Sequence, residues 1–221
     1  NLSMTPGFSS LAAVWLEHGG VFAEASLRGG GEFGEAWHRD GMLDRKQHVF
    51  DDFIGAAEHL IAEGYTSATH LAIRGGSNGG LLVGTVSNQR PDLFGAVVCT
   101  YPLLDMVRYH QFLVASFWVP EYGSSEDPAQ FAYLYDYSPY HNVKPTAHYP
   151  ATLYITGDGD TRVAPLHGRK MAALMQATHG DTTPVLLRYH TEAGHSGGQP
   201  VSQQIEQMVD TVSFLLWQVG H

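Results

Sequence analysis

The sequence predicts an α/β fold in which a mostly parallel sheet carries helices on both faces. Two observations predict it. Short apolar runs of strand length alternate with segments of helical period along most of the chain, and one such run passes into a helix through the glycine-rich turn 75–80. Residues 9–18 read as a helix, with Ser9 or Ser10 as cap, Leu11, Val14 and Trp15 on one face, and Gly19-Gly20 as its end. Residues 21–27 form a short apolar strand candidate. Residues 45–63 place Val49, Phe53, Ala56, Ala57, Leu60 and Ile61 at helical period, and Gly64 closes that helix. Strand 71–73 and helix 79–88 follow. Strands 96–99 and 151–156, helix 166–178, strand 184–189 and helix 201–219 continue the rhythm. Between 101 and 150 the pattern loosens around Trp118, Tyr122, Phe131, Tyr133, Tyr135, Tyr137, Tyr140 and Tyr149, an aromatic-rich insertion that packs on the sheet or in part lines a pocket.

With 221 residues, 43% of them hydrophobic, and no repeat or low-complexity linker, one compact domain is expected. A formal charge of -10 argues against nucleic acid or an anionic membrane as partner, since either polyanion would be repelled. A small uncharged or cationic substrate fits better. The one cysteine, Cys99, lies in an apolar run and is expected to pack in the core. No apolar run reaches the 18 or so residues that a membrane span requires. The start, Asn1 to Pro6, carries neither a methionine at position 1 nor a signal-peptide pattern, so residue 1 is not expected to be a natural beginning.

Ser77 sits in Gly75-Gly76-Ser77-Asn78-Gly79-Gly80, between a strand and a helix. A serine at such a turn adopts a strained backbone that lifts its hydroxyl clear of the sheet, and small flanking residues permit the turn. A serine hydroxyl is a weak nucleophile at neutral pH and needs a base, which in turn needs an orienting group. In parallel-sheet hydrolases these follow as acid and then histidine, each on a loop beyond a later strand. Asp158 and Asp160 both lie in the loop after strand 151–156, and His195 lies after strand 184–189 between Glu192 and Gly198. A calcium reading of Asp158-x-Asp160 fails because Arg169 stands where a bidentate glutamate belongs, and no metal is expected. Gly29, Gly31 and Gly34 spell a dinucleotide fingerprint. No helix is expected to open at Gly34, so the stretch reads as a glycine-rich loop near the active site and no cofactor is predicted.

These residues resemble the catalytic domain of the prolyl oligopeptidase family, serine peptidases with the α/β-hydrolase fold. The resemblance rests on Arg28 through His38, the elbow 74–84, Tyr137-Ser-Pro-Tyr-His-Asn-Val143, the Asp160 loop through Pro165-Leu166-His167, and Ala193-Gly194-His195. It covers essentially the whole chain, and the elbow with segment 118–123 points to the proline-specific branch. It implies Ser77 as nucleophile, His195 as general base and acid, and Asp160 as orienting carboxylate, because the family's acid lies two residues before an arginine, here Arg162. The backbone N–H of Asn78 is implied as an oxyanion donor, a group worth roughly 3 to 4 kcal/mol in related hydrolases. Trp118 is implied to stack on a substrate proline ring, with Tyr122 and Val163 beside it, and Arg162 to hold a substrate carbonyl. Gly159 and Thr161 depart from the family, which more often has His and Asp there.

The helix at 9–18 lacks the strand that should precede it, and that strand, in the resembling fold, lies between those at 21 and 71. The second oxyanion donor and a phenylalanine of the proline pocket would also fall before Asn1. The chain is therefore expected to be the C-terminal part of a larger architecture, with a missing N-terminal segment as partner and short peptides as substrate. A carboxylesterase using the same three residues, or an inactive fragment that needs the missing segment, are the alternatives.

Overall fold

The computed structural model describes residues 2–191, 194, 195 and 200–220. In chain order the elements are α1 (Ser10–Glu17), α2 (Glu35–Arg39), α3 (Gln47–Ala62), β1 (Ala72–Gly76), α4 (Asn78–Gln89), β2 (Ala96–Thr100), α5 (Val119–Tyr122), α6 (Pro128–Tyr137), β3 (Ala151–Gly157), α7 (Leu166–His179), β4 (Val185–His190) and α8 (Val201–Val219), with short 3-10 turns between them. The four strands are all parallel in the order β1-β2-β3-β4. β2 and β3 are buried along their whole length, as the uninterrupted apolar runs at their centres require once both faces of a sheet are covered.

One face holds Ile73, Val97, Cys99 and Tyr154 against Phe50 and Ala57 of α3, Leu81, Val83 and Val86 of α4, and Met171 and Met175 of α7. The opposite face holds Ala96, Val98, Leu153 and Ile155 against Phe214, Leu215 and Val219 of α8, with Trp15 of α1 at its margin. Alternate residues of one strand thus serve two cores, which is the period-two geometry of a strand applied between helical layers. Cys99 is buried, and burial pushes its thiol up, as expected of a packing residue.

Two expectations need correction. Residues 21–27 form no strand. They have no ladder partner among the described residues, β1 is an edge of the sheet, and Val21 is 72% exposed. An apolar segment of strand length becomes a strand only when a neighbour takes up its backbone N–H and C=O groups. A helix does open at Gly34: α2 follows directly, with Gly34 at φ 87°. Five residues are too few to show a period, and because residues 21–27 are not a strand, the strand-loop-helix unit of a dinucleotide site is not formed. Region 101–150 contains α5 and α6, both opened by prolines, with Asp127 capping α6 through the N–H of Ala129. Tyr122, Tyr137 and Tyr149 of this insertion are buried in the core, Trp118, Tyr133 and Tyr140 pack on it partly buried, and Phe131 and Tyr135 are exposed.

The insertion is tied to α7 by a polar cluster. Asp105, fully buried, pairs with Lys170 of α7 and lies near Arg108 and His141, and its own N–H donates to Nδ1 of His167 at 3.1 Å. His167 is 1% exposed, and burial pushes its imidazole down to about 4. An unfolded chain takes up a proton at this residue near pH 6.5, whereas the folded one resists until about pH 4. Stability is therefore expected to fall as pH drops through that window, by roughly 3 kcal/mol in all from this group. His167→Asn, whose side-chain oxygen can accept the same N–H, should remove this contribution. Urea midpoints at pH 7 and pH 5 check it: the difference between wild type and variant should shift in the variant's favour at the lower pH.

Candidate active site

The parallel strands bring their C-terminal ends to one edge, and every loop with catalytic potential leaves from there. Ser77 follows β1 at φ 56° and ψ -116°, a left-handed conformation that is strained for any side chain other than glycine. Its N–H donates to Thr100 O at 2.9 Å, and its carbonyl accepts from Gly80 and Leu81. The turn's demand for glycine is specific. A Cβ at Gly75 would stand 2.0 Å from Gly79 O, and one at Gly80 would stand 2.7 Å from Pro102, whereas Gly79 has open space around it. Asn78 opens α4, so its N–H has no acceptor within the helix.

Asp160 lies three residues beyond β3 and is buried. Its Oδ1 accepts the N–H groups of Arg162 at 2.9 Å and Val163 at 2.8 Å, and its Oδ2 lies 2.7 Å from Nδ1 of His195. Three donors thus lock the carboxylate with one oxygen aimed at the imidazole. Asp158 faces elsewhere, accepting the hydroxyl of Tyr189. Of the loop 192–198, Gly194 and His195 are described, while 192, 193 and 196–198 lie outside the described residues.

The His195 ring also rests against Tyr101, with centroids 5.7 Å apart. Tyr101 is the residue after Thr100, whose carbonyl takes the Ser77 N–H, so the ring that meets His195 and the serine elbow are joined through the end of β2. Tyr101 itself has φ 44° and donates its hydroxyl to Gln207 of α8. Sequence reasoning missed it, since a tyrosine in a left-handed conformation leaves no pattern.

Trp118, Tyr122 and Val163 join one apolar cluster, with Trp118 half-buried and the other two buried. Tyr122 donates its hydroxyl to Asn78 Oδ1 at 2.8 Å, linking this cluster to the elbow. Burial pushes the Tyr122 phenol up, and Glu121 and Tyr109 act in the same direction. The nearby charge of Arg162 opposes them. Arg162 is exposed.

A serine elbow after β1, an acid loop after β3 and a histidine after β4 on one edge of a parallel sheet define the α/β-hydrolase class. Residues 6–221 match the prolyl oligopeptidase family, and the chain belongs to that family of serine hydrolases. It is 44% identical over its full length to the prolyl endopeptidase of Elizabethkingia miricola, covering 31% of that protein. It is 46% identical over 97% of its length to that of Dictyostelium discoideum, covering 29%. A solved prolyl endopeptidase structure superposes with a TM-score of 0.97 at 52% identity, over 99% of this chain and 32% of the other. A post-proline cleaving enzyme from Rickettsia typhi does so at 0.95 and 36%, over 99% and 31%. The chain therefore spans about 31% of the length of the relatives it matches.

Proposed function

We propose that residues 1–221 form a single α/β-hydrolase catalytic domain, the C-terminal part of a larger architecture, that hydrolyses short peptides on the carboxyl side of proline through an acyl-enzyme. Ser77 Oγ attacks the prolyl carbonyl while Nε2 of His195 takes its proton. The oxyanion forms against the N–H of Asn78, a donor that meets charge present only in the transition state. His195 then passes the proton to the leaving amine, and water repeats the sequence on the ester to release the acid and regenerate Ser77. Asp160 keeps the proton of the resting imidazole on Nδ1, leaving Nε2 free to act as base.

The observation that carries this reading is the Asp160–His195 contact of 2.7 Å, made in the loops that follow β3 and β4, in a chain whose β1 ends in a left-handed serine turn. Proline specificity draws on Trp118, Tyr122 and Val163 as an apolar wall, since proline is flat, apolar and without an N–H, so that shape and stacking must select it. In this reading Arg162, which is exposed and whose charge reaches Tyr122, holds a substrate carbonyl by a charge-assisted hydrogen bond. The prolyl endopeptidases among its relatives support the same assignment.

Hydrolysis of a Gly-Pro nitroanilide, a Gly-Ala nitroanilide and a short-chain nitrophenyl ester tests it. The expected result is a prolyl substrate preferred over the alanyl one by roughly a hundredfold, the scale of discrimination an apolar pocket supplies. Ester hydrolysis without anilide hydrolysis would favour a carboxylesterase instead.

A further inference from the structure

The glycine-rich stretch 29–41 makes a contact that the catalytic reading leaves unused. Arg28 holds Asp52 of α3 through both carboxylate oxygens and also reaches Asp40, so the segment carrying α2 is pinned to α3. From α2, His38 Nε2 lies 3.0 Å from Oε2 of Glu121. From the head of α3, Lys46 Nζ lies 3.5 Å from the other oxygen, Oε1, with its side chain only 3% exposed and its ammonium 5.0 Å from the Tyr122 ring centre. Burial pulls the Lys46 ammonium down and the Glu121 carboxylate holds it up, so the buried ammonium depends on Glu121. Glu121 stands between Trp118 and Tyr122 in sequence, and Tyr122 is the residue bonded to Asn78.

We propose that Glu121 is a positioning residue, gripped by Lys46 and His38, that fixes α5 and thereby sets Trp118 and Tyr122 against the serine elbow. A four-residue helix has too few internal hydrogen bonds to hold itself, so an outside grip decides where its side chains point. The consequence rests on the proposed role of those two rings in proline selection. Loss of the grip should weaken prolyl binding more than it weakens acyl chemistry.

The experiment compares Glu121→Gln, the double variant Lys46→Met with Glu121→Gln, and the milder His38→Gln in the intact polypeptide. Replacing both members of a buried pair removes the uncompensated charge, so the double variant should regain most of the stability that Glu121→Gln loses. Its KM for the Gly-Pro anilide should nevertheless rise roughly tenfold, as displaced positioning groups allow, with ester kcat/KM changed less than about threefold. His38→Gln should move KM the same way by a smaller factor. Amide exchange across residues 115–123 should quicken in all three. A double variant with wild-type KM, an equal loss of anilide and ester turnover, or unchanged exchange at 115–123 overturns the proposal. A wild type without prolyl preference removes the functional reading alone, and the exchange measurement then decides the grip by itself.

Discussion

Ser77→Ala is expected to abolish covalent labelling by a fluorophosphonate and to lower kcat by about a millionfold, the scale seen when the nucleophile of a serine protease is deleted. The size follows from the proposed mechanism: without Oγ no acyl-enzyme can form, and only binding and the proposed oxyanion donor would remain to assist direct attack by water. The fold should not suffer. The Ser77 backbone contacts, N–H to Thr100 and carbonyl to Gly80 and Leu81, do not involve the side chain, and alanine adopts φ 56° no less readily than serine. Thermal midpoints within a degree or two, no probe adduct in the intact mass, and no initial burst of product would together meet the expectation. A labelled variant would move the nucleophile to another residue.

Asp160→Asn should cost about ten-thousandfold in kcat with little change in stability, the scale of the equivalent change in serine proteases. The direction can be derived from the carboxylate's surroundings. Its Oδ1 accepts two backbone N–H groups, from Arg162 and Val163, so an asparagine must keep its oxygen there and turn its NH2 toward His195. An NH2 facing Nδ1 makes that nitrogen an acceptor and places the imidazole proton on Nε2. Nε2 then has no lone pair for the serine proton. The matched control is Asp158→Asn, which alters only an exposed contact to Tyr189 and should leave kcat within about twofold. Equal effects of the two substitutions would sink the assignment of Asp160.

How much of this was readable beforehand differs from element to element. The nineteen residues of α8 and sixteen of α3 run through several turns, so their apolar period rises above composition, and the observed ends fall close to the expected ones. β2 and β3 announce themselves as apolar runs bounded by turns. α2 and α5, of five and four residues, complete little more than one turn and carry no period to detect. The strand expected at 21–27 failed for another reason: its local preference was sound, but strand formation depends on a partner elsewhere, and none of the described strands lies beside it.

The order of serine, acid and histidine along the chain, each just past an apolar run, was set by sequence alone, because the turn at Ser77 and the loops after the strands are encoded by local residues. So was the alternation that makes the sheet parallel. The resemblance, through the arginine two residues on, favoured Asp160 over Asp158; only the tertiary structure supplies the physical difference between two carboxylates in one loop, since one is buried beneath two backbone N–H groups and faces an imidazole 35 positions away. The same holds for Tyr101 beside His195 and for the grip of Lys46 and His38 on Glu121, 75 and 83 positions apart. Local conformation follows from neighbours in the chain, whereas burial and charge pairing depend on distances through space that form when the strands are laid side by side.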